Sequence, residues 1–113
     1  MLLASVILIG IVIIIGFIMA SKRKKREAVP TIYKIIHAGF TLVGASLVFI
    51  VAFMGDNRLW TNIILAIIIV CLGLTMAFAK LNKTSGKLVM YTHAAIGIIC
   101  YAIFLYLTFT PDA

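Results

Sequence analysis

Four long apolar runs, separated by three short polar connectors, constrain this chain more than any other feature of its sequence. Each run has about 20 residues, enough for a helix to cross ~30 Å of hydrocarbon. With 65% apolar and only 12% charged residues, the chain has too few polar side chains to cover a soluble domain. We therefore predict one integral membrane domain, 1–113, whose spans are about 1–20, 31–54, 59–80 and 86–109.

The runs predict helices rather than strands, because no run alternates with period two and an open sheet edge cannot be satisfied in lipid. Each half of the chain consists of a span, a basic connector and a second span with a histidine near its start. The predicted fold is an all-α, polytopic bundle of four transmembrane helices, made of two like-oriented helical hairpins. The last helix is expected to take its cap from Thr84, Ser85 or Gly86.

The basic residues predict the orientation in the membrane. Connector one, "SKRKKREAVPT", and connector three, "KLNKTSGK", are rich in Lys and Arg, whereas connector two, "GDNRLWTN", holds Arg58 alone. The positive-inside rule places connectors one and three in the cytoplasm and both termini outside, as in a bacterial inner-membrane protein. Because the charge follows the first run, we expect an uncleaved anchor rather than a signal peptide.

The same distribution explains the formal charge of +7 without a nucleic-acid partner, since the cations lie in connectors rather than on a folded face. The connectors would also attract anionic lipid, although orienting the protein in the bilayer is sufficient to account for them.

Two histidines, the only ones in the chain, occupy matching places in the second and fourth runs. His37 lies in "KIIHAGF", seven residues after Pro30, and His93 lies in "YTHAAIG", seven residues after Gly86. At 1.5 Å per residue each lies roughly 10 Å into its helix. A single histidine of this kind is more often an interhelical hydrogen-bonding contact than a ligand. Two at equal depth favour a functional role instead.

The chemistry that two imidazoles on facing helices best support is axial ligation of one b-type haem near the cytoplasmic face. We therefore predict His37 and His93 as ligands of the haem iron. Small residues near them would give the porphyrin room, although close helix packing explains such residues equally well. Lys34, one turn before His37, is a candidate partner for a haem propionate, although topology already explains it. The predicted small residues around the haem are Gly39, Gly44 and Gly97.

The chain resembles small four-helix, bis-histidine membrane b-type cytochromes in its four spans and in the segments "HAGF" around His37 and "HAAIG" around His93. The resemblance implies electron transfer to or from a quinone or a redox protein. Larger families of this kind carry a histidine pair near each membrane face. The single inner pair here implies one haem, without transfer between two haems across the membrane.

Other functions remain open. Short length and apolar spans also suit a non-catalytic accessory or assembly subunit of a larger membrane complex, and a homodimer is compatible with either function. A transporter or pH-gated pore is disfavoured because no charged residue lies in the middle of a span. A His2Cys2 metal site with Cys71 and Cys100 would need the cysteines at another depth. The sequence shows no hydrolase or transferase motif, so an enzymatic role would depend on a redox centre.

Overall fold

The computed structural model describes residues 2–110 of the chain. Four α-helices make up most of this range: α1 (Leu2–Lys24), α2 (Thr31–Phe53), α3 (Trp60–Phe78) and α4 (Lys83–Phe109). A short 3-10 helix, Asn57–Leu59, leads into α3. Four helical segments are long and apolar enough to cross a membrane, and residues 2–110 contain no strand. The predicted all-α class and the four membrane helices are confirmed.

The helix ends differ most from the predicted spans at the end of α1 and at the start of α4. α1 continues through Ser21 to Lys24, because lysine and arginine are good helix formers and their charge suits the negative end of the helix dipole. α4 starts at Lys83, before the expected start at residue 86, and its cap is Asn82, whose Oδ1 accepts a hydrogen bond from the Ser85 N–H at 2.7 Å. The predicted cap at residues 84–86 is therefore wrong. The predicted start at Met1 and the chain end at 111–113 lie outside the described residues.

The chain divides into two compact units, 1–57 and 58–113. In the first unit α1 packs against α2 as an antiparallel hairpin, since Ser5 contacts Gly44 while Val12 contacts His37. Apolar side chains buried in this hairpin are Val6, Val12, Val48 and Ala52. Gly55, with φ of 117°, supplies the left-handed backbone of the turn that follows α2.

In the second unit α3 packs against α4 in the same antiparallel way, through Asn62 against Cys100 and Ile69 against His93. Its buried apolar side chains are Leu59, Ile63 and Phe104. At one end of this hairpin, Nη1 of Arg58 donates a hydrogen bond of 2.7 Å to the Thr110 carbonyl. That charged contact holds the end of α4 against the start of α3.

Large apolar side chains remain exposed along all four helices, among them Ile14, Leu42, Leu74 and Tyr106. Water would make such exposure costly, whereas lipid tails solvate these side chains. The protein is therefore membrane-embedded.

Candidate functional site

His37 lies in the second turn of α2 and is half-buried against α1. Its Nδ1–H donates a hydrogen bond of 3.0 Å to the carbonyl oxygen of Val12. The same edge of the ring lies against Gly16, where a Cβ atom would be 3.1 Å from His37 Cε1. The imidazole thus occupies the space that a side chain at Gly16 would need.

His93 repeats this arrangement in the second hairpin. Its Nδ1–H donates a hydrogen bond of 2.9 Å to the carbonyl oxygen of Ile69 on α3. Its Cε1 would lie 3.3 Å from a Cβ atom at Gly73. In both hairpins, therefore, the histidine of the second helix bonds a backbone carbonyl of the first helix, one turn before a glycine that makes room for the ring.

A second contact repeats as well, seven residues away along each helix. In the first hairpin the hydroxyl of Ser5 donates to the Gly44 carbonyl at 2.8 Å. In the second hairpin Nδ2 of Asn62 donates to the Cys100 carbonyl at 3.0 Å. Ser5 and Asn62 are also the two polar residues that are almost fully buried in the described chain. The two hairpins are therefore structural repeats, although few residues are identical between them.

The hydrogen bonds fix the tautomer of both imidazoles. A carbonyl oxygen only accepts, so Nδ1 of each ring must carry the proton, and a neutral ring then has its lone pair on Nε2. Histidines that bind metals through Nε2 commonly donate Nδ1–H to a backbone carbonyl in this way, which sets the ring orientation. The arrangement therefore fits a haem ligand, and it equally fits a histidine that ties two helices together.

The predicted neighbours of the histidines have different surroundings. A Cβ atom at Gly39 or Gly97 would meet nothing within 4 Å, so space is open beside both. Gly44 instead faces α1, where a Cβ would lie 2.6 Å from Ile9 Cδ1, so its small size serves the packing of the hairpin. Lys34 is exposed, one turn before His37.

Other polar groups near the histidines bond locally. The hydroxyl of Thr41 donates to the His37 carbonyl at 2.6 Å, within its own helix rather than to an imidazole nitrogen. Cys71 is exposed, and Cys100 bonds Asn62. Among residues 2–110, no three His, Cys, Asp or Glu side chains lie close enough together to hold a metal ion.

The glycines that receive the rings, Gly16 and Gly73, were not among the predicted site residues. Their signal was present in the sequence, since Gly73 follows Gly16 at nearly the spacing that separates the two histidines. Comparison of the chain with protein-family models, curated proteins and solved structures finds no match.

Proposed function

We propose that this chain is a membrane b-type haem protein in which Nε2 of His37 and Nε2 of His93 bind the iron of one haem. Haem held by two imidazoles supplies one-electron transfer and leaves no open coordination position for a substrate. The function that follows is electron transfer, with a quinone or a redox protein as the partner. A homodimer or a larger membrane complex is compatible with this function.

The observation that carries the proposal is the matched setting of the two rings. Both histidines donate Nδ1–H to a carbonyl of the neighbouring helix, at 3.0 and 2.9 Å, and both are held against a glycine. A ligand pair needs this combination, because a fixed tautomer and a fixed ring plane keep the lone pair of Nε2 in one direction. The match is part of the structural repeat between the two hairpins, which places both rings in the same setting.

Two further residues have supporting roles in this proposal. The open space at Gly97, four residues after His93 and on the same helix face, suits a bulky planar group beside that imidazole, whereas Gly39, two residues after His37, lies on another side of α2. The exposed Lys34 would pair with a propionate, since an ammonium group and a carboxylate form a charge-assisted hydrogen bond. Gly44 has no part in it, because Ile9 occupies the space beside it.

We also propose the orientation that the basic connectors favour, with connectors one and three in the cytoplasm of a bacterial cell and both termini outside. In a Cys71→Ala/Cys100→Ala background, a membrane-impermeant maleimide should label Asn57→Cys in intact cells and should label Lys25→Cys only after lysis. The reverse pattern would show the opposite orientation.

The haem proposal is tested by the reduced-minus-oxidised visible spectrum of the full chain, produced with added haem and purified in detergent. The wild type should show sharp b-type bands, and His37→Asn or His93→Asn should abolish them. The asparagine amide can still donate to the Val12 or Ile69 carbonyl, yet it places no ligand at the position of Nε2. Ser5→Ala is the matched control, since it removes an interhelical hydrogen bond and should leave the bands unchanged.

A wild-type protein without these bands, or an asparagine variant that keeps them while retaining its helical circular dichroism, would overturn the haem proposal. The second candidate function is that of an accessory or assembly subunit of a larger complex. The same hydrogen bonds favour it, because an interhelical hydrogen bond contributes ~0.6 to 2 kcal/mol to helix packing and thus gives each histidine a structural role without a cofactor. It predicts co-purification with a larger membrane complex and tolerance of both asparagine substitutions.

A further inference from the structure

The last two turns of α1 and the turn that follows them form an open cleft of about 350 Å³. Its lining changes character along the helix axis, from apolar side chains to a hydroxyl and then to charged groups. The lining residues are Phe17, Ile18, Ser21, Lys22, Lys25 and Glu27.

The turn that closes the cleft is a Schellman motif. The Glu27 N–H donates to the Lys22 carbonyl at 2.8 Å, and the Arg26 N–H donates to the Arg23 carbonyl at 3.1 Å. Arg26 has φ of 59°, a left-handed conformation that glycine usually provides at this position. The turn folds Glu27 back over the helix, so that its carboxylate lies 3.7 Å from Nζ of Lys22.

The order of groups in the cleft matches one class of ligand. Phe17 and Ile18 are exposed, at 53% and 37%, on the side toward the apolar run. Ser21, Lys22 and Lys25 follow within about 12 Å, at 1.5 Å per residue. A phospholipid presents the same order, from acyl chain to phosphate, over a similar length. Charge complementarity then selects an anionic headgroup.

We propose that this cleft binds one anionic phospholipid. Ser21, Lys22 and Lys25 hold the phosphate, and the first methylenes of an acyl chain lie on Phe17 and Ile18. Glu27 opposes the bound anion, and its ion pair with Lys22 separates when the phosphate binds. The proposal is independent of haem binding.

Native mass spectrometry of the full chain in detergent tests this site, with phosphatidylglycerol and phosphatidylcholine as probes. The wild type should bind one phosphatidylglycerol at least fivefold more tightly than phosphatidylcholine, since a basic residue in contact with an anionic headgroup contributes roughly fivefold. Lys22→Gln/Lys25→Gln should remove that preference. Glu27→Gln should raise the affinity for phosphatidylglycerol about two- to threefold, because it removes the competing carboxylate.

The matched control is Arg23→Gln/Lys24→Gln, which removes the same charge from the same segment outside the cleft and should change the affinity less than twofold. Equal losses in the two double variants would mean general attraction to an anionic surface, which would overturn the site. Inorganic phosphate that displaces phosphatidylglycerol at millimolar concentration would also overturn the lipid assignment, whereas failure of phosphate to compete supports it.

Discussion

The ring of His37 lies against Gly16 of the neighbouring helix so closely that a Cβ atom there would come within 3.1 Å of Cε1. The same relationship recurs between His93 and Gly73, at 3.3 Å. In each hairpin a glycine on the first helix and an imidazole on the second form one packing unit. The carbonyl that accepts the Nδ1–H bond lies one turn before that glycine.

Alanine at Gly16 should destabilise the first hairpin. The added methyl group forces the imidazole outward and weakens its bond to Val12, and overpacking of this kind costs ~1 to 3 kcal/mol. Gly73→Ala should cost less, because its contact is longer. The midpoint of SDS-induced unfolding, followed by circular dichroism, measures both effects.

Gly39→Ala and Gly97→Ala are the controls for this experiment, since a Cβ at either position meets nothing within 4 Å. They should leave stability unchanged or raise it by up to about 1 kcal/mol through helix propensity. A Gly16→Ala variant as stable as these controls would show that the ring does not depend on the glycine.

Gly44 and Ile9 should be energetically coupled. A Cβ at Gly44 would lie 2.6 Å from Ile9 Cδ1, so Gly44→Ala should lower stability by ~1 to 3 kcal/mol. Ile9→Val removes that methyl group and should recover much of the loss. A double-mutant cycle measures the coupling, which should be at least about 0.5 kcal/mol for side chains in contact. Strictly additive losses would contradict the contact.

Ser5 and Asn62 occupy equivalent positions, yet replacing each by an apolar residue should affect stability differently. The hydroxyl of Ser5 donates its proton to the Gly44 carbonyl, so Ser5→Ala should cost ~0.6 to 2 kcal/mol. Asn62 is 4% exposed and its Oδ1 is buried without a hydrogen-bond partner. Asn62→Leu, of similar shape, removes that unpaired oxygen, whose burial costs ~1 to 3 kcal/mol.

We therefore expect Asn62→Leu to be neutral or stabilising, although it also loses the bond to the Cys100 carbonyl. Asn62→Asp is the isosteric control and should strongly destabilise the second hairpin, because it buries a charge. A greater loss of SDS resistance in Asn62→Leu than in Ser5→Ala would contradict this account of the two positions.

The four helices followed from the sequence because hydrophobic length and short polar connectors are strong, local signals. The carbonyl that each histidine bonds on the neighbouring helix could not be predicted from the sequence. α1 is apolar on every side through its membrane-crossing part, so its sequence does not show which face meets α2. Gly44, seven residues after His37, shares its helix face, and the structure shows that face turned toward α1 rather than toward a cofactor-sized space.

The end of α1 also could not be predicted from the sequence. From composition alone, the first span is predicted to end at residue 20, where the charged residues begin. The helix instead continues to Lys24 and ends in a turn with Arg26 in the left-handed region. Arginine is not a residue that predicts this turn. The turn creates the cleft, and no recognisable pattern in the basic segment predicts the backbone geometry of that turn.

Binding of one haem per chain through both imidazoles is tested most directly by a haem titration of the purified protein. Ferric haem is added in steps, the sample is reduced, and the height of the b-type α-band is plotted against haem per chain. We expect a linear rise that ends sharply at one haem per chain, and no such band in His37→Asn/His93→Asn. A curve without a break, or the same curve in the double variant, would contradict the claim.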